Sequence, residues 1–186
     1  MPTGNRLLGL VLGTLVAWAL PLCAGQREAK ADQGADKPAE LKVLERFVGT
    51  WDTETRSRRA EWTPKETRTT GTTKMEWVLG GRFIQSKGHS DPGGLQDIQM
   101  MTYDAGRKQY RHWHFDSLGT GSESSASGQW DEGAKTLTWK AELVDGITMT
   151  NKVQFLDKDT YKWALVAKDK GGKVYLEMEG KLTRRK

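Results

Sequence analysis

The sequence predicts an all-β domain: an antiparallel up-and-down β-barrel of about ten strands with a short N-terminal helix. Three observations predict it. Apolar and polar residues alternate with a period of two through most of the chain after residue 50, as in strands with one buried face. Gly, Asp and Pro clusters separate these runs and suit tight turns. The segment Phe47-Val-Gly-Thr-Trp51 places an aromatic, a Gly and a Trp where the first strand begins, which is typical of small closed barrels.

The individual elements follow from spacing. Leu41, Leu44 and Val48 recur at helical intervals after Pro38, which is tolerated in a first turn, so a short amphipathic helix is predicted there. Strands are predicted at 50–59, 67–78, 82–89, 96–104, 108–115, 121–130, 135–143, 147–156, 160–168 and 173–184. Sequential strands joined by tight turns form a meander, and closing it removes the exposed edges.

The first 25 residues have a different character. Arg6 is the only charge before an apolar run at 7–20, and small residues follow. This arrangement predicts an export signal, since a membrane-spanning helix needs about 20 apolar residues. Cleavage is expected after Ala24 or Gly25, which makes the protein periplasmic or secreted.

Cys23 is the only cysteine of the chain, and lipid attachment there is the alternative to removal with the signal. Leu22 stands before it, where a lipidation signal has a small residue. Residues 26–37 contain no large apolar side chain and are predicted to be a flexible linker. Residues 38–186 then form a single β-barrel domain without a disulfide.

Charge gives no sign of a nucleic-acid partner. The formal net charge is +5, and the basic residues are spread out apart from Arg56, Arg58 and Arg59 and the tail 184–186. Neither group forms a nucleic-acid recognition motif. We therefore expect no nucleic-acid binding, and no transmembrane segment in the mature chain. The oligomeric state is left open.

Alternation assigns side chains to faces. Candidate interior residues are Leu137, Trp139, Ala141, Leu143, Val153, Phe155, Tyr161, Trp163, Leu165, Val174, Leu176 and Met178. By contrast, residues 67–73 and 121–128 are polar on both faces. A barrel with one apolar and one polar arc either encloses a partly hydrated cavity or is flattened, with its polar strands facing solvent.

Several segments carry a resemblance to a known family. They are 44–51 (LERFVGTW), 76–83 (EWVLGGRF), Tyr103-Asp104 with Tyr110, Trp113 and Asp116-Ser-Leu-Gly119, and Thr136-Leu-Thr138. In order and spacing the chain resembles DUF1579, a family of uncharacterised bacterial proteins, many of them exported. The resemblance implies a calycin-like or lipocalin-like barrel, a fold that commonly binds small ligands, and it implies no particular chemistry.

Aromatic residues supply the candidates for a ligand site. The candidate ligand-binding residues are Trp51, Trp77, Arg111, Trp113, Trp139 and Trp163. The tryptophans either pack in the core or line a pocket for an apolar or amphipathic molecule. Arg111 shares a strand face with Trp113 and Phe115, where a guanidinium could pair with a ligand carboxylate.

His112 and His114 are the candidate metal ligands, because residues two apart on a strand face the same way. Zinc or iron would suit them, with Asp116 or Glu123 as a third ligand. The glutamate of the cupin metal motif is missing after them, and His89 is the only other histidine. Ordinary hydrogen-bonded histidines are the alternative.

The sequence contains fewer features that would indicate haem binding or serine hydrolase activity. A single histidine in a barrel could ligate haem, but no haem-attachment cysteine motif exists. Ser117 lies in no nucleophile elbow, and no Ser-His-Asp set stands out.

The sequence therefore favours a non-catalytic cell-envelope barrel that binds a small apolar or amphipathic ligand without a cofactor. Two alternatives stay open: a zinc-, iron- or haem-dependent enzyme using His112 and His114, and a structural or interaction module without a pocket.

Overall fold

A computed structural model describes residues 39–119 and 125–186. One helix, α1 (Ala39–Glu45), precedes the strands, and a 3₁₀ turn spans Val144–Gly146. The strands are β1 (Gly49–Ser57), β2 (Thr67–Val78), β3 (Phe83–Asp91), β4 (Leu95–Asp104), β5 (Gln109–Asp116), β6 (Ala126–Asp131), β7 (Thr136–Glu142), β8 (Thr148–Phe155), β9 (Thr160–Lys168) and β10 (Val174–Arg184).

The ten strands form one closed antiparallel barrel in which each pairs with the next along the chain. Pairing between β1 and β10, with Trp51 opposite Arg184, closes the ring. The predicted all-β up-and-down barrel with a short N-terminal helix is confirmed. The described part of the sixth strand begins at Ala126 rather than at residue 121, and residues 120–124 lie outside the described part of the chain.

Helix α1 packs at one end of the barrel because its apolar side chains, Leu41 and Leu44, are buried in the barrel core. The hydroxyl of Tyr110 on β5 donates to the carbonyl of Glu40 over 2.8 Å, which ties the helix to the sheet. We call the half of the barrel next to α1 the proximal half and the other the distal half.

Aromatic side chains fill the proximal half. Trp51 is fully buried, and its indole N–H donates to the carbonyl of Phe47 over 2.8 Å. The ring of Trp51 lies 4.9 Å from that of Tyr161, and Phe47 packs at the same centroid distance against Phe155. The Arg184 guanidinium stacks 4.1 Å above the Trp51 ring. These contacts give the Phe47–Trp51 segment its role, which is to seal this end of the barrel.

Three sequence predictions concern residues that the structure does not describe. The export signal (1–25), the linker (26–37) and Cys23 all lie outside residues 39–119 and 125–186. Within the described residues, no helix has the length and apolar character needed to cross a membrane.

Candidate functional site

The inner surface of the distal half consists of two arcs of different polarity. Strand pairing places the following polar and small residues on the inner face of β1–β5: Thr53, Thr55, Thr69, Gly71, Thr73, Ser86, Gly88, Ser90, Asp97, Gln99, His112, His114 and Asp116. The inner face of β7–β10 carries Trp139, Ala141, Met149, Asn151, Trp163, Leu165, Ala167, Leu176 and Met178. The first set forms the polar arc and the second the apolar arc.

Many of these inward-facing side chains keep some accessible surface. Asp97, Gln99, His114, Leu165 and Met178 are half-buried although they point into the barrel. The distal half therefore leaves room for solvent-sized molecules, whereas the proximal half is filled by Trp51 and its neighbours.

A hydrogen-bonded chain crosses from β4 to β5 within the polar arc. The side-chain amide nitrogen of Gln99 donates to Oδ2 of Asp97 over 2.8 Å. The amide oxygen of Gln99 lies 3.0 Å from Nε2 of His112. A buried polar group is stable only when it is hydrogen-bonded, so this chain, here called the Asp97–Gln99–His112 relay, fixes three polar side chains inside the barrel.

His112 also contacts the apolar arc. Its ring lies 5.1 Å from that of Trp139, which is 2% exposed. Burial and, to a lesser extent, the neighbouring His114 lower the pKa of His112 from 6.5 to about 4. The imidazole is therefore neutral at physiological pH. The relay and the apolar arc meet at this residue.

Two further polar features lie inside. The hydroxyls of Thr73 and Ser86 hydrogen-bond over 2.8 Å, and both residues are buried. On the apolar arc, Oδ1 of Asn151 is buried without a hydrogen-bond partner among the residues that the structure describes. A buried amide oxygen without a partner costs about 1–3 kcal/mol, so this atom needs an explanation.

Glycines make room for the large inward-facing side chains. Gly128 lies directly opposite Trp139, and a Cβ at position 128 would come within 2.6 Å of the indole ring. Gly180 likewise lies directly opposite Trp163, and a Cβ at position 180 would come within 2.5 Å of its indole ring. Both tryptophans therefore lie across the backbone of a neighbouring strand at a position where a side chain would collide with the ring.

The structure separates the six predicted ligand-binding residues into three places. Trp51 and Trp77 belong to the proximal half, where the Trp77 indole donates to the Glu45 carboxylate over 2.8 Å. Trp139 and Trp163 face the distal interior. Arg111 and Trp113 share a face as expected, but their strand neighbours place that face outward.

On that outer face Arg111 donates to the hydroxyl of Ser125 and lies 3.8 Å from the Asp104 carboxylate. Its guanidinium also lies 5.6 Å from the Trp113 ring. These contacts occupy Arg111 away from the barrel interior.

His112 and His114 face inward together, as their spacing predicts. Among residues 39–119 and 125–186, however, no three His, Cys, Asp or Glu side chains are grouped closely enough to hold a metal ion. Asp116 on β5 lies opposite Asp97 in the pairing of β4 and β5. Glu123 is outside the described residues. His89 faces outward and lies 3.3 Å from Asp91.

A pocket of about 320 Å³ opens at the distal rim. Inward-facing Gly88, Asp97 and Asp116 line one side of it, and outward-facing Ile98 and Phe115 line the other. A second and wider pocket of about 950 Å³ runs along the strands β1, β2 and β7–β10 and is lined mainly by outward-facing polar residues such as Thr138 and Lys152. The rim pocket is the one that contacts the relay, through Asp97.

Sequence reasoning missed Asp97, Gln99 and Asn151. Asp97 and Gln99 alternate with Met101 and Tyr103, which was the signal that all four share the inner face of β4. Asn151 similarly alternates with Val153 and Phe155.

The fold and interior define the class of protein, a calycin-like barrel with a sealed proximal end and an amphipathic distal interior. The family model for proteins of unknown function DUF1579 matches residues 37–184. The chain belongs to this family, as its sequence resemblance predicted. No curated protein matches the sequence significantly.

Solved structures share the fold at low sequence identity. The crystal structure of Rv2717c from M. tuberculosis is 11% identical, with a TM-score of 0.60 over 81% of this chain and 100% of that chain. The S-type phycobiliprotein lyase CPES from Guillardia theta is 13% identical, with a TM-score of 0.53 over 78% of this chain and 92% of that chain. At these identities the likeness concerns the fold alone.

Proposed function

We propose that the protein is a non-catalytic binding protein that takes a small amphipathic ligand into the distal half of its barrel. The observation that carries the proposal is the division of that interior into a polar arc, held by the Asp97–Gln99–His112 relay, and an apolar arc with Trp139 at the junction. Binding sites of this kind combine apolar walls with a few fixed polar groups.

The cost of the polar interior supports a role in binding. Relay residues and Asn151 reduce the apolar area that the barrel buries, and Oδ1 of Asn151 is unpaired within the described part of the chain. Buried polar groups that do not contribute to stability are expected at functional sites. A ligand in the distal half that donates a hydrogen bond to Oδ1 of Asn151 would remove this cost.

Native mass spectrometry of the gently purified protein tests the proposal. We expect an organic molecule that stays bound to the folded protein and is released on denaturation. An Ala141→Trp substitution fills the distal interior and should abolish the bound mass. The matched control is Ala164→Trp, on the exposed outer face of β9, which should retain it.

Circular dichroism and thermal unfolding show whether each variant is folded, and Ala141→Leu is the milder replacement if Ala141→Trp is not. Equal occupancy in folded Ala141 and Ala164 variants would rule out binding in the distal half. Stoichiometric zinc or iron, or a Soret band, lost in His112→Ala and His114→Ala would instead support the metal- or haem-dependent alternative.

We further propose that residues 1–25 export the protein to the cell envelope or medium. N-terminal sequencing of the protein from those fractions should begin at Gly25 or Gln26. Recovery of the intact N-terminus from the cytoplasm would contradict export. Incorporation of labelled fatty acid that is lost in Cys23→Ser would show a lipid anchor instead of removal of Cys23.

A further inference from the structure

We infer that the distal interior selects a flat aromatic or heteroaromatic ligand that brings hydrogen-bond donors and carries no negative charge. The inference rests on the proposed function and specifies the chemical class of the ligand. It follows from the direction of the hydrogen bonds in the relay, the charges that face inward, and the placement of two tryptophan rings.

The Asp97–Gln99–His112 relay has a fixed direction. A carboxylate only accepts hydrogen bonds, so the amide nitrogen of Gln99 must be the group that donates to Asp97. The amide oxygen of Gln99 therefore faces His112 and accepts from Nε2–H over 3.0 Å. A neutral imidazole protonated at Nε2 has a lone pair at Nδ1. Asp97 thus sets the tautomer of His112 through Gln99.

Nδ1 of His112 is consequently a hydrogen-bond acceptor. It has no hydrogen-bond partner within the described part of the chain, where the ring instead packs against Trp139. Asn151, which lies opposite Trp139 in the register of β7 and β8, adds a second acceptor because its Oδ1 is buried and unpaired. Acceptors thus lie on both sides of Trp139. A ligand in the distal half must bring donors to satisfy them.

Inward-facing charge reinforces this preference. Within the described residues, the charged side chains that strand pairing turns into the distal half are Asp97 and Asp116. Arg111 on the neighbouring face points outward, and Arg184 is held in the proximal half, where it donates to the carbonyls of Val48 and Arg46. A buried carboxylate needs a cationic partner. In the distal interior, a carboxylate on the ligand would instead be repelled by these aspartates.

The preference for a flat ligand follows from the placement of the tryptophans. Gly128 and Gly180 let Trp139 and Trp163 lie across neighbouring strands, so each ring is held in place by the backbone beneath it. Trp139 is 2% exposed and covered by His112, whereas the half-buried Trp163 keeps aromatic surface accessible in the distal interior. Aromatic partners pack best on such surface in offset or edge-to-face arrangements.

Three quinolines of similar size test the inference by isothermal titration calorimetry on the ligand-free protein at pH 8. They carry an amino, a methyl or a carboxylate group at the same ring position. We expect 2-aminoquinoline to bind at least about tenfold more tightly than 2-methylquinoline, since leaving a buried acceptor unpaired is costly, and we expect no binding of quinoline-2-carboxylate.

Substitution of the relay supplies the structural control. In Gln99→Leu, His112 loses the acceptor that fixes its tautomer while Asn151 is unchanged, so the preference for the amino compound should fall several-fold without disappearing. Gln129→Leu, on the exposed outer face of β6, should keep the full preference. Nitrogen-15 NMR of the histidine rings should show His112 protonated at Nε2 in the unsubstituted protein.

The outcomes separate this inference from the proposed function. Equal or tighter binding of the methyl or carboxylate compound, or protonation of His112 at Nδ1, overturns the inference and leaves ligand binding standing. Failure of all three probes to bind, together with no co-purified ligand, overturns both.

Discussion

Gly88 lies directly opposite Asp97 in the register of β3 and β4, and the Asp97 carboxylate occupies the space that a side chain at position 88 would fill. A Cβ built on Gly88 would overlap Oδ1 of Asp97 and approach its Cγ to 2.9 Å. The absence of a side chain on β3 therefore allows the carboxylate to reach Gln99 on its own strand.

Gly88→Ala should displace Asp97 and break the first hydrogen bond of the relay. The expected loss is about 1–3 kcal/mol in the free energy of unfolding, because the amide of Gln99 stays buried without its acceptor. Urea unfolding measures this loss, and the ring nitrogens of His112 should lose the signature of a single tautomer.

Gly106→Ala is the matched control for Gly88→Ala. Gly106 lies in the turn between β4 and β5, and a Cβ there would meet only Asp104 at an ordinary 3.4 Å. We expect a change in stability within about 0.5 kcal/mol, as for surface substitutions that disturb no contact. Equal effects of the two substitutions would show that the overlap with Asp97 has no energetic importance.

Gly128→Ala should be destabilising for a different reason, the overpacking of a filled core. The added methyl would come within 2.6 Å of the Trp139 ring and 3.0 Å of Cβ of Tyr110. Overpacking of this kind costs about 1–3 kcal/mol. A double-mutant cycle with Trp139→Leu measures the coupling, and most of the cost should disappear once the indole is gone. Additive effects would contradict the proposed overlap.

Stability should fall between pH 6.5 and pH 4 because of His112. Its pKa is lowered from 6.5 to about 4 by burial and by His114, so in this window the unfolded chain binds a proton that the folded chain does not. The free energy of unfolding therefore rises with pH across the window, by on the order of 3 kcal/mol for this group alone. The effect is complete above pH 6.5.

His112→Gln should flatten that dependence by up to one proton per molecule, measured as the pH slope of the free energy of unfolding from urea titrations. His114 and, through Gln99, Asp97 are the titratable groups that face His112, and both remain in the variant. His89→Gln is the control, since His89 lies on the outer face beside Asp91. An unchanged slope in His112→Gln would show that the imidazole is not held neutral.

The fold could be predicted from the sequence because each strand carries its own signal, a period of two ended by turn residues. The arrangement of side chains inside the barrel could not be predicted from the sequence, and β5 shows why. Its outward face carries Arg111, Trp113 and Phe115, and its inward face carries Tyr110, His112 and His114, so composition placed the predicted ligand residues of this strand on its outer face, away from the relay.

The register with neighbouring strands determines which face of β5 turns inward. His112 pairs with Met101 on β4 and Ala126 on β6, both buried, and it therefore turns inward. The same limit applies to Gly88 and Asp97, whose relation exists only once β3 and β4 are aligned. Pairwise register is a property of the assembled sheet, and a single strand's alternation does not contain it.

Asn151→Leu should raise the free energy of unfolding of the protein without ligand and lower its affinity for the ligand. Within residues 39–119 and 125–186 the buried Oδ1 of Asn151 has no partner, so replacing the amide with an apolar group of similar volume removes an uncompensated desolvation cost. We expect a gain of about 1 kcal/mol in the free energy of unfolding. The same substitution removes an acceptor from the distal interior, and 2-aminoquinoline should bind several-fold more weakly. Gln129→Leu makes a similar polar-to-apolar change on an exposed outer face and should alter neither quantity. A loss of stability in Asn151→Leu would contradict an unsatisfied amide oxygen at this position.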